Sequence, residues 1–480
     1  MLALRYVYQL LHSFRYLFAR HATWGTFCLL ILGLIGTHQP DGISAVCRFW
    51  QLGEPDYHRL LHFFHSSAWS LHALVVHWSQ VVLSQQVAVT VAGRVVLVGD
   101  HTYVVKEARR MPGVVTLHQD SQTQSKPSYF RGHHWGVLGL VVGSLAQAFC
   151  LPLDARLHQG FAHLRQAEPA AAGKDTLCSR LLEMALQFAL HQDCPAILVL
   201  DAFFATGPVF GLAASFWSIA RKQPYLHVLT RAKKNYVAYQ APEPPPPHPQ
   251  GRPRKYGAKV KLTEVFETHH AQFCTATTQV YGRIETISYL ALNLLWKPCR
   301  SPLRFVFAVT SRGPIVLMCS DLTLDPLTAL ALYCARVRVE TLFTMLKGVI
   351  GAFRYHFWSK RLPRHSRRPT KNALLTPPAM QDLPSVQRTW RACEGFVLLG
   401  CIALGLLQLV ALKFSHHIWD AFPLFLRTRS RALPSEQTVK TVLTPALQQD
   451  FLNLAPSATL QLIRPRPSRS ETCGDRVPYD

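Results

Sequence analysis

Acidic side chains are scarce in this chain: 27 Asp and Glu stand against 51 Lys and Arg, a formal net charge of +24 over 480 residues. Such an excess favours a polyanion partner, either nucleic acid or an anionic membrane surface. It also makes the few acids more informative than usual. Paired cysteines are missing as well. The twelve cysteines are scattered and no two are spaced as CxxC, which argues against a zinc ribbon or a dithiol redox motif. No convincing cleavable leader stands out, so reduced thiols in the cytosol are the expectation and a disulfide framework is not. Charged residues are only 16% of the chain and hydrophobic ones 49%, with mean hydropathy +0.09, a folded composition with material for one large core or two to three domains.

Long apolar runs are few. TWGTFCLLILGLIG, from Thr23 to Gly36, is too short for a comfortable membrane span. EGFVLLGCIALGLLQLVALK, from Glu394 to Lys413, is long enough, but Gln408 interrupts it. A helix buried in a large core has the same appearance and is the preferred reading; a basic membrane protein is kept as an alternative.

The chain divides by texture. Residues 1–93 are helix-patterned, with Arg and His interleaved among aromatics and leucines, and suit a DNA-end-binding region. Residues 94–240 alternate apolar strand-like runs with helical ones and form the first part of an α/β core. The proline run APEPPPPHP opens a basic connector, 241–262, that continues as GRPRKYGAKVKL. A β-rich insertion follows at 263–320, and the second part of the core at 321–372. A C-terminal helical region at 373–425, a candidate for dimerisation, precedes a polar tail at 426–480.

Three acids stand out by position. RVVLVGD ends at Asp100 and PAILVLD at Asp201, each an apolar strand followed by a carboxylate. The carboxyl edge of a sheet is where α/β folds place ligands. The third is Glu340 in YCARVRVETLFTMLK. Tyr333, Arg336, Glu340 and Lys347 there fall within an arc of roughly 60° on a single predicted helix. Taken alone, each has a plainer explanation. A strand-end aspartate is often a helix cap, and Arg336 and Glu340 form an i,i+4 pair worth about 0.3–0.5 kcal/mol. Together the three carboxylates offer an all-oxygen donor set of the kind that holds two Mg²⁺ ions for in-line phosphoryl displacement.

The order and spacing of these residues resemble the DDE transposases of bacterial insertion sequences. Tyr333, two residues, Arg336, three residues, Glu340, six residues and Lys347 reproduce the Y-R-E-K motif of the "IS four" family. VLVGDHT and VLDAFFATGPVF resemble the blocks around its first two aspartates, although relatives often carry a second acid where GDHT has none. The resemblance covers about Arg94 to Lys360. It implies an RNase H-like catalytic core with Asp100, Asp201 and Glu340 as catalytic metal ligands for two Mg²⁺ ions, Mn²⁺ being able to substitute. It further implies that Tyr333, Arg336 and Lys347 contact phosphates near the cut. Double-stranded DNA, as terminal inverted repeats and target, is the implied partner, with a homodimer in the synaptic complex and a cytoplasmic, nucleoid-associated location. The implied chemistry is cut-and-paste transposition through a hairpin, with Trp296 as the candidate for stacking a flipped base. Arg231, Lys233, Lys234, Arg252, Arg254 and Lys255 are candidates to follow the DNA backbone, their plainer reading being a solvated charged face. The alternatives are an inactive end-binding repressor and an RNase H-like nuclease without strand transfer.

Overall fold

The computed structural model describes residues 1–118, 128–159, 176–244, 254–299, 301–367, 376–426, 428–429 and 431–452, the side chains of 451–452 excepted. They form two compact units. One comprises Met1–Val81, Met345–Trp358 and the chain from Gln387; the other comprises Val82–Thr344 and Ser359–Val386.

Five helices open the first unit: α1 (Leu2–Ser13), α2 (His21–Gly36), α3 (Ile43–Trp50), α4 (Glu54–His65) and α5 (Leu71–Ser84). The short apolar run foreseen from the sequence is α2, which is buried on nearly every side from Trp24 to Gly36. A helix apolar all round belongs inside a core.

The second unit is built on a mixed sheet of 13 strands among the described residues. In chain order these are β1 (Thr90–Val91), β2 (Arg94–Val105), β3 (Val115–His118), β4 (Tyr129–Gly143) and β5 (Ala148–Leu157), then helix α6 (Leu177–His191) and β6 (Ala196–Val199). Helix α7 (Gly207–Ala214) and a small separate hairpin, β7 (Trp217–Ser218) with β8 (Gln223–Pro224), lead to β9 (Leu226–Arg231). The sheet resumes with β10 (Val237–Tyr239) and β11 (Lys259–Lys261), and after the single helical turn α8 (Val265–Thr268) with β12 (Cys274–Val280), β13 (Arg283–Leu295), β14 (Pro302–Thr310) and β15 (Gly313–Cys319). The heart of it is the order β5-β4-β2-β6-β9. The first three strands are antiparallel neighbours, and β6 and β9 run parallel to β2. β6 and the stretch of β2 that pairs with it, Val95–Val98, are apolar and buried on both faces, as parallel strands covered by helices must be. On the far side of β9 the strands of 274–319 continue the same sheet through β15, β14 and β13, so the stretch expected to be an insertion is one wing of it. Part of the basic connector is drawn in too, as edge strand β11 paired to β10. The β12–β13 turn uses Tyr281 and Gly282, both with positive φ (47° and 85°), the geometry of a tight two-residue hairpin.

Helices α9 (Pro326–Ala335) and α10 (Arg338–Thr344) close the second unit, and a π-helical turn, Met345–Ile350, carries the chain into the first. The first unit is completed by α11 (Leu383–Lys413), α12 (Ser415–Ala421) and α13 (Glu436–Leu452). Among the described residues α11 is the one helix long and apolar enough to cross a membrane, and 94% of its most apolar window is buried inside the protein. Gln408, the interruption noted in the sequence, is satisfied in that interior: its Nε2 donates to Glu436 Oε1 at 2.9 Å. Pairing of this kind is what permits a polar group in an apolar core. The eleven cysteines of the described residues are free thiols, most of them buried.

Lys440 of α13 is 4% exposed and donates to the carbonyls of Leu34, in the last turn of α2, at 3.3 Å and of Val349 at 2.6 Å. Burial pushes its ammonium down to about 8. Because the folded-state value lies below the unfolded one, charging Lys440 opposes folding. The penalty is fully present below pH 8 and is relieved as the pH rises toward 10.5. The stability advantage of the native protein over Lys440→Met should therefore grow by roughly 2 kcal/mol between pH 7.5 and 10, as read from urea midpoints. A pH-independent difference would put the ammonium in water.

Candidate active site

The sheet register brings the two aspartates together. Parallel pairing of β2 with β6 ends at Val98 opposite Val199. Asp100 and Asp201 each lie two residues further on, so both side chains start from the same height on strands about 4.8 Å apart. Asp100 does not end its strand, as the sequence suggested. β2 runs on to Val105 because β4 continues to pair with it, Asp100 opposite Val137. Asp201 lies two residues past the end of β6, and it caps the following 3-10 turn, Ala202–Phe204, with its Oδ1 accepting the Phe203 N–H at 2.9 Å. Its own carbonyl accepts the Thr230 hydroxyl at 2.5 Å. Helix α6 lies close beneath. A Cβ on Gly99 would come within 2.9 Å of Leu181 Cδ2, so glycine before Asp100 lets the Leu181 side chain of α6 pack close to β2.

The predicted single helix of Tyr333–Lys347 is broken. Arg336 and Val337 form a turn between α9 and α10, with i→i−3 hydrogen bonds from Arg336 N to Tyr333 O (3.2 Å), Val339 N to Arg336 O (3.0 Å) and Glu340 N to Val337 O (3.1 Å). This tightening rotates α10 relative to α9. Val339, Leu342 and Phe343 are buried, with Leu342 coming against Gly139 of β4, and Glu340 is left on the exposed side. Tyr333 is buried, at 7% exposure. Lys347 falls on the π-helical turn, which belongs to the first unit and not to the unit holding the three acids.

Arg336 makes an ion pair, but not the intrahelical one to Glu340 that the sequence suggested. Its Nη1 reaches Asp100 Oδ2 at 2.8 Å, and the two side chains are only 18% and 16% exposed. Burial raises the Asp100 carboxyl to about 6. Arg336 and the His101 N–H, which donates to Asp100 Oδ1 at 2.8 Å, pull it down, while the negative charges of Asp201 and Glu340 push it further up. Burial also raises the Tyr333 phenol, against the pull of Arg336 and Arg231. The turn residue Tyr281 is likewise raised by burial and feels Arg231 and Arg336.

The carboxylates share a field without forming a chelating cluster: among the described residues no three of His, Cys, Asp and Glu are gathered as a metal site. Their chemistry nevertheless fits a hard divalent cation. The donors are all oxygen, and the mutual repulsion recorded at Asp100 is the kind a cation relieves, a role its guanidinium partner fills in part.

Other expected residues divide. Trp296 is 4% exposed, its ring 5.1 Å from Tyr236 and 6.0 Å from Phe210. It is packed into the sheet and offers no open face to a base. Lys233 and Lys234, in the turn after β9, and Arg254 and Lys255, before β11, are exposed; Arg231 is half-buried at the end of β9. Arg252 lies outside the described residues. Two features escaped the sequence reading. Lys297 lies over the Tyr239 ring at 4.7 Å and the Tyr256 ring at 5.8 Å, adding a cation beside Lys255. Behind Asp100 stands a histidine group: His101 Nε2 is 2.9 Å from His158 Nδ1, and the His134 ring is 4.6 Å from that of His101. Burial lowers His101 to about 3 and His134 to about 4, so both are neutral. Only the fold brings these positions together; spacing along the chain carried no sign of it.

Asp100 on β2, Asp201 just past β6 and Glu340 on α10 thus belong to one α/β unit, with exposed cations on its surface. Residues 27–288, more than half of the chain, match the family described as DDE superfamily endonuclease. The chain belongs to that family. Membership implies an RNase H-like α/β core, a DNA substrate and a divalent metal; the matched span holds Asp100 and Asp201 and stops short of Glu340. No curated protein matches the sequence.

Two measurements check this geometry. In a double-mutant cycle of Arg336→Met and Asp100→Asn, the coupling energy in stability should exceed about 1 kcal/mol; additive effects would mean that water screens the pair. Trp296→Ala should destabilise the fold by roughly 3–5 kcal/mol, as loss of a core aromatic does, and an unchanged urea midpoint would return the ring to the surface.

Proposed function

We propose that the chain is a cut-and-paste DNA transposase of the "IS four" kind, acting on the terminal inverted repeats of its own element and joining the freed 3′ ends to target DNA after a hairpin stage. One observation carries the reading: Asp100 and Asp201 each lie two residues beyond the last pair, Val98 opposite Val199, of the parallel strands β2 and β6. In this reading Asp100, Asp201 and Glu340 hold the divalent ions, Mg²⁺ with Mn²⁺ as substitute. Such ions, when bound, polarise the phosphodiester and make water or a 3′-hydroxyl a competent nucleophile.

The rest falls to the chain's own side chains. Arg336 presents a planar fork suited to a phosphate, and exchanging Asp100 Oδ2 for a phosphate oxygen keeps the guanidinium paired while freeing the carboxylate. The Tyr333 phenol, buried and with its ionisation raised, stays protonated and can donate a hydrogen bond. Arg231, Lys233, Lys234, Arg254 and Lys255, together with Lys297, supply the cations that fix the duplex in register; Lys347 and Arg252 join them by the family resemblance. The working form is a homodimer holding two ends, in the cytoplasm, where free thiols persist.

Asp100→Asn, Asp201→Asn and Glu340→Gln should each lower cleavage of a duplex carrying the element's end by at least about 100-fold while end binding, followed by gel shift, stays within a few-fold. Cleavage that survives any one substitution would remove that residue from the site. Cut 3′ ends that never join a target plasmid would reduce the activity to that of a nuclease.

A further inference from the structure

We propose that Tyr281 and Arg312, on the tips of two hairpins in the outer wing of the sheet, close with Arg231 around one DNA backbone phosphate and so act as positioning residues beside the acids. The inference rests on the DNA-cleavage reading above and deepens it by naming what fixes the incoming strand. Sheet register sets the place. β6 and β9 run parallel, and β15 is antiparallel to β9 with Leu317 opposite Arg231. Gly313, the first residue of β15, thus lies at the end of the sheet where β9 finishes and which Asp201 follows. The Ser311–Arg312 turn precedes it, and antiparallel pairing of β13 with β14 brings the Tyr281–Gly282 turn to the same end.

The two tips hold each other. The Arg312 guanidinium lies 4.0 Å over the Tyr281 ring, and the Ser311 N–H donates to Glu285 Oε2, on the strand leaving the other tip, at 3.2 Å. On the helix side the Tyr281 backbone hydrogen-bonds the Cys334 thiol of α9, and its phenol lies in the field of Arg231 and Arg336 as well as Arg312. Tyr333 in turn feels Tyr281, Arg231, Arg336 and Asp201. Three guanidiniums and two phenols therefore gather at one place. Arg336 has Asp100 as its carboxylate partner, whereas Arg231 and Arg312 have none among the described residues. Free planar forks beside a phenolic O–H suit a phosphate. The turn adds a second observation. Tyr281 has φ 47°, a conformation that two-residue hairpin turns favour for Asn, Asp or Gly and that strains a tyrosine. Backbone strain of this kind collects at ligand-binding positions.

The test uses the full chain and a duplex carrying the element's end, with a neutral methylphosphonate put in turn for each phosphate near the cut. End binding is read by fluorescence anisotropy and needs no cleavage. Native protein that binds this duplex and leaves it uncut ends the transposase reading, while affinity still decides the phosphate site. Arg312→Gln should weaken end binding about 10-fold or more and reduce the slope of log affinity against log salt by about 0.9, one phosphate contact. One methylphosphonate position should weaken native protein by a similar factor and weaken Arg312→Gln no further. Tyr281→Asn relaxes the turn, so its urea midpoint should equal or exceed the native one while its end binding falls and its sensitivity to that same position disappears. Native affinity and salt slope in Arg312→Gln, native affinity in Tyr281→Asn, or methylphosphonate effects that multiply with Arg312→Gln at every position would each overturn the proposal. Arg312 is exposed on its turn, so its variant keeps the test decisive if Tyr281→Asn does not fold.

Discussion

The acidic site turns on the cost of keeping one carboxylate out of water. Asp100 is largely enclosed by β4, α6 and the approach of α9, and an isolated charge there would be strongly disfavoured. Its surroundings offset that cost in two unlike ways: Arg336 brings a full positive charge from 236 residues along the chain, and the His101 amide brings a dipole from the next residue. Neither cancels the effect of burial, to which Asp201 and Glu340 add repulsion, and the carboxyl remains raised to about 6. Leftover repulsion among carboxylates is of the kind that a cation relieves. The break between α9 and α10 has a place in this account: it occurs at Arg336, the residue whose side chain is committed to Asp100.

Much of this was legible in the chain itself. Two apolar runs ending in aspartate announced the strand pair, because buried parallel strands need continuous apolar sequence and a polar residue marks where they emerge. The spacing of Tyr333, Arg336, Glu340 and Lys347 pointed to chemistry. It also misled, since helical periodicity treats the stretch as one rod and has no term for a side chain pulled sideways by a partner two hundred residues away. Trp296 illustrates the same limit. Composition identifies a large aromatic, but whether its face is free depends on Tyr236 and Phe210, which sheet pairing brings to it. Strand β11 was hidden for a different reason. Its three residues are too few to show alternation, and the proline run before them reads as the end of regular structure.

The helical unit resolves the ambiguity of the long apolar segment without appeal to a bilayer. Helix α11 is enclosed by protein, and its aromatic neighbours are specific: Phe396 lies among Phe64, Tyr355 and Phe357 at ring distances of 5.5–6.2 Å. Gln408 and Lys440 are among the polar side chains buried in that interior, and each donates to a named oxygen. A core this apolar would be indifferent to small rotations of its helices, whereas a hydrogen bond from Gln408 to Glu436 is satisfied in only one alignment.

The outermost strand of the large sheet also bears on how copies of the protein behave together. β11 exposes Lys259 and Lys261 on either side of Val260. A backbone arriving from a second molecule could extend the ladder only by stripping water from two ammonium groups at once. Charged side chains of this kind are what blunts an edge strand against pairing with another chain.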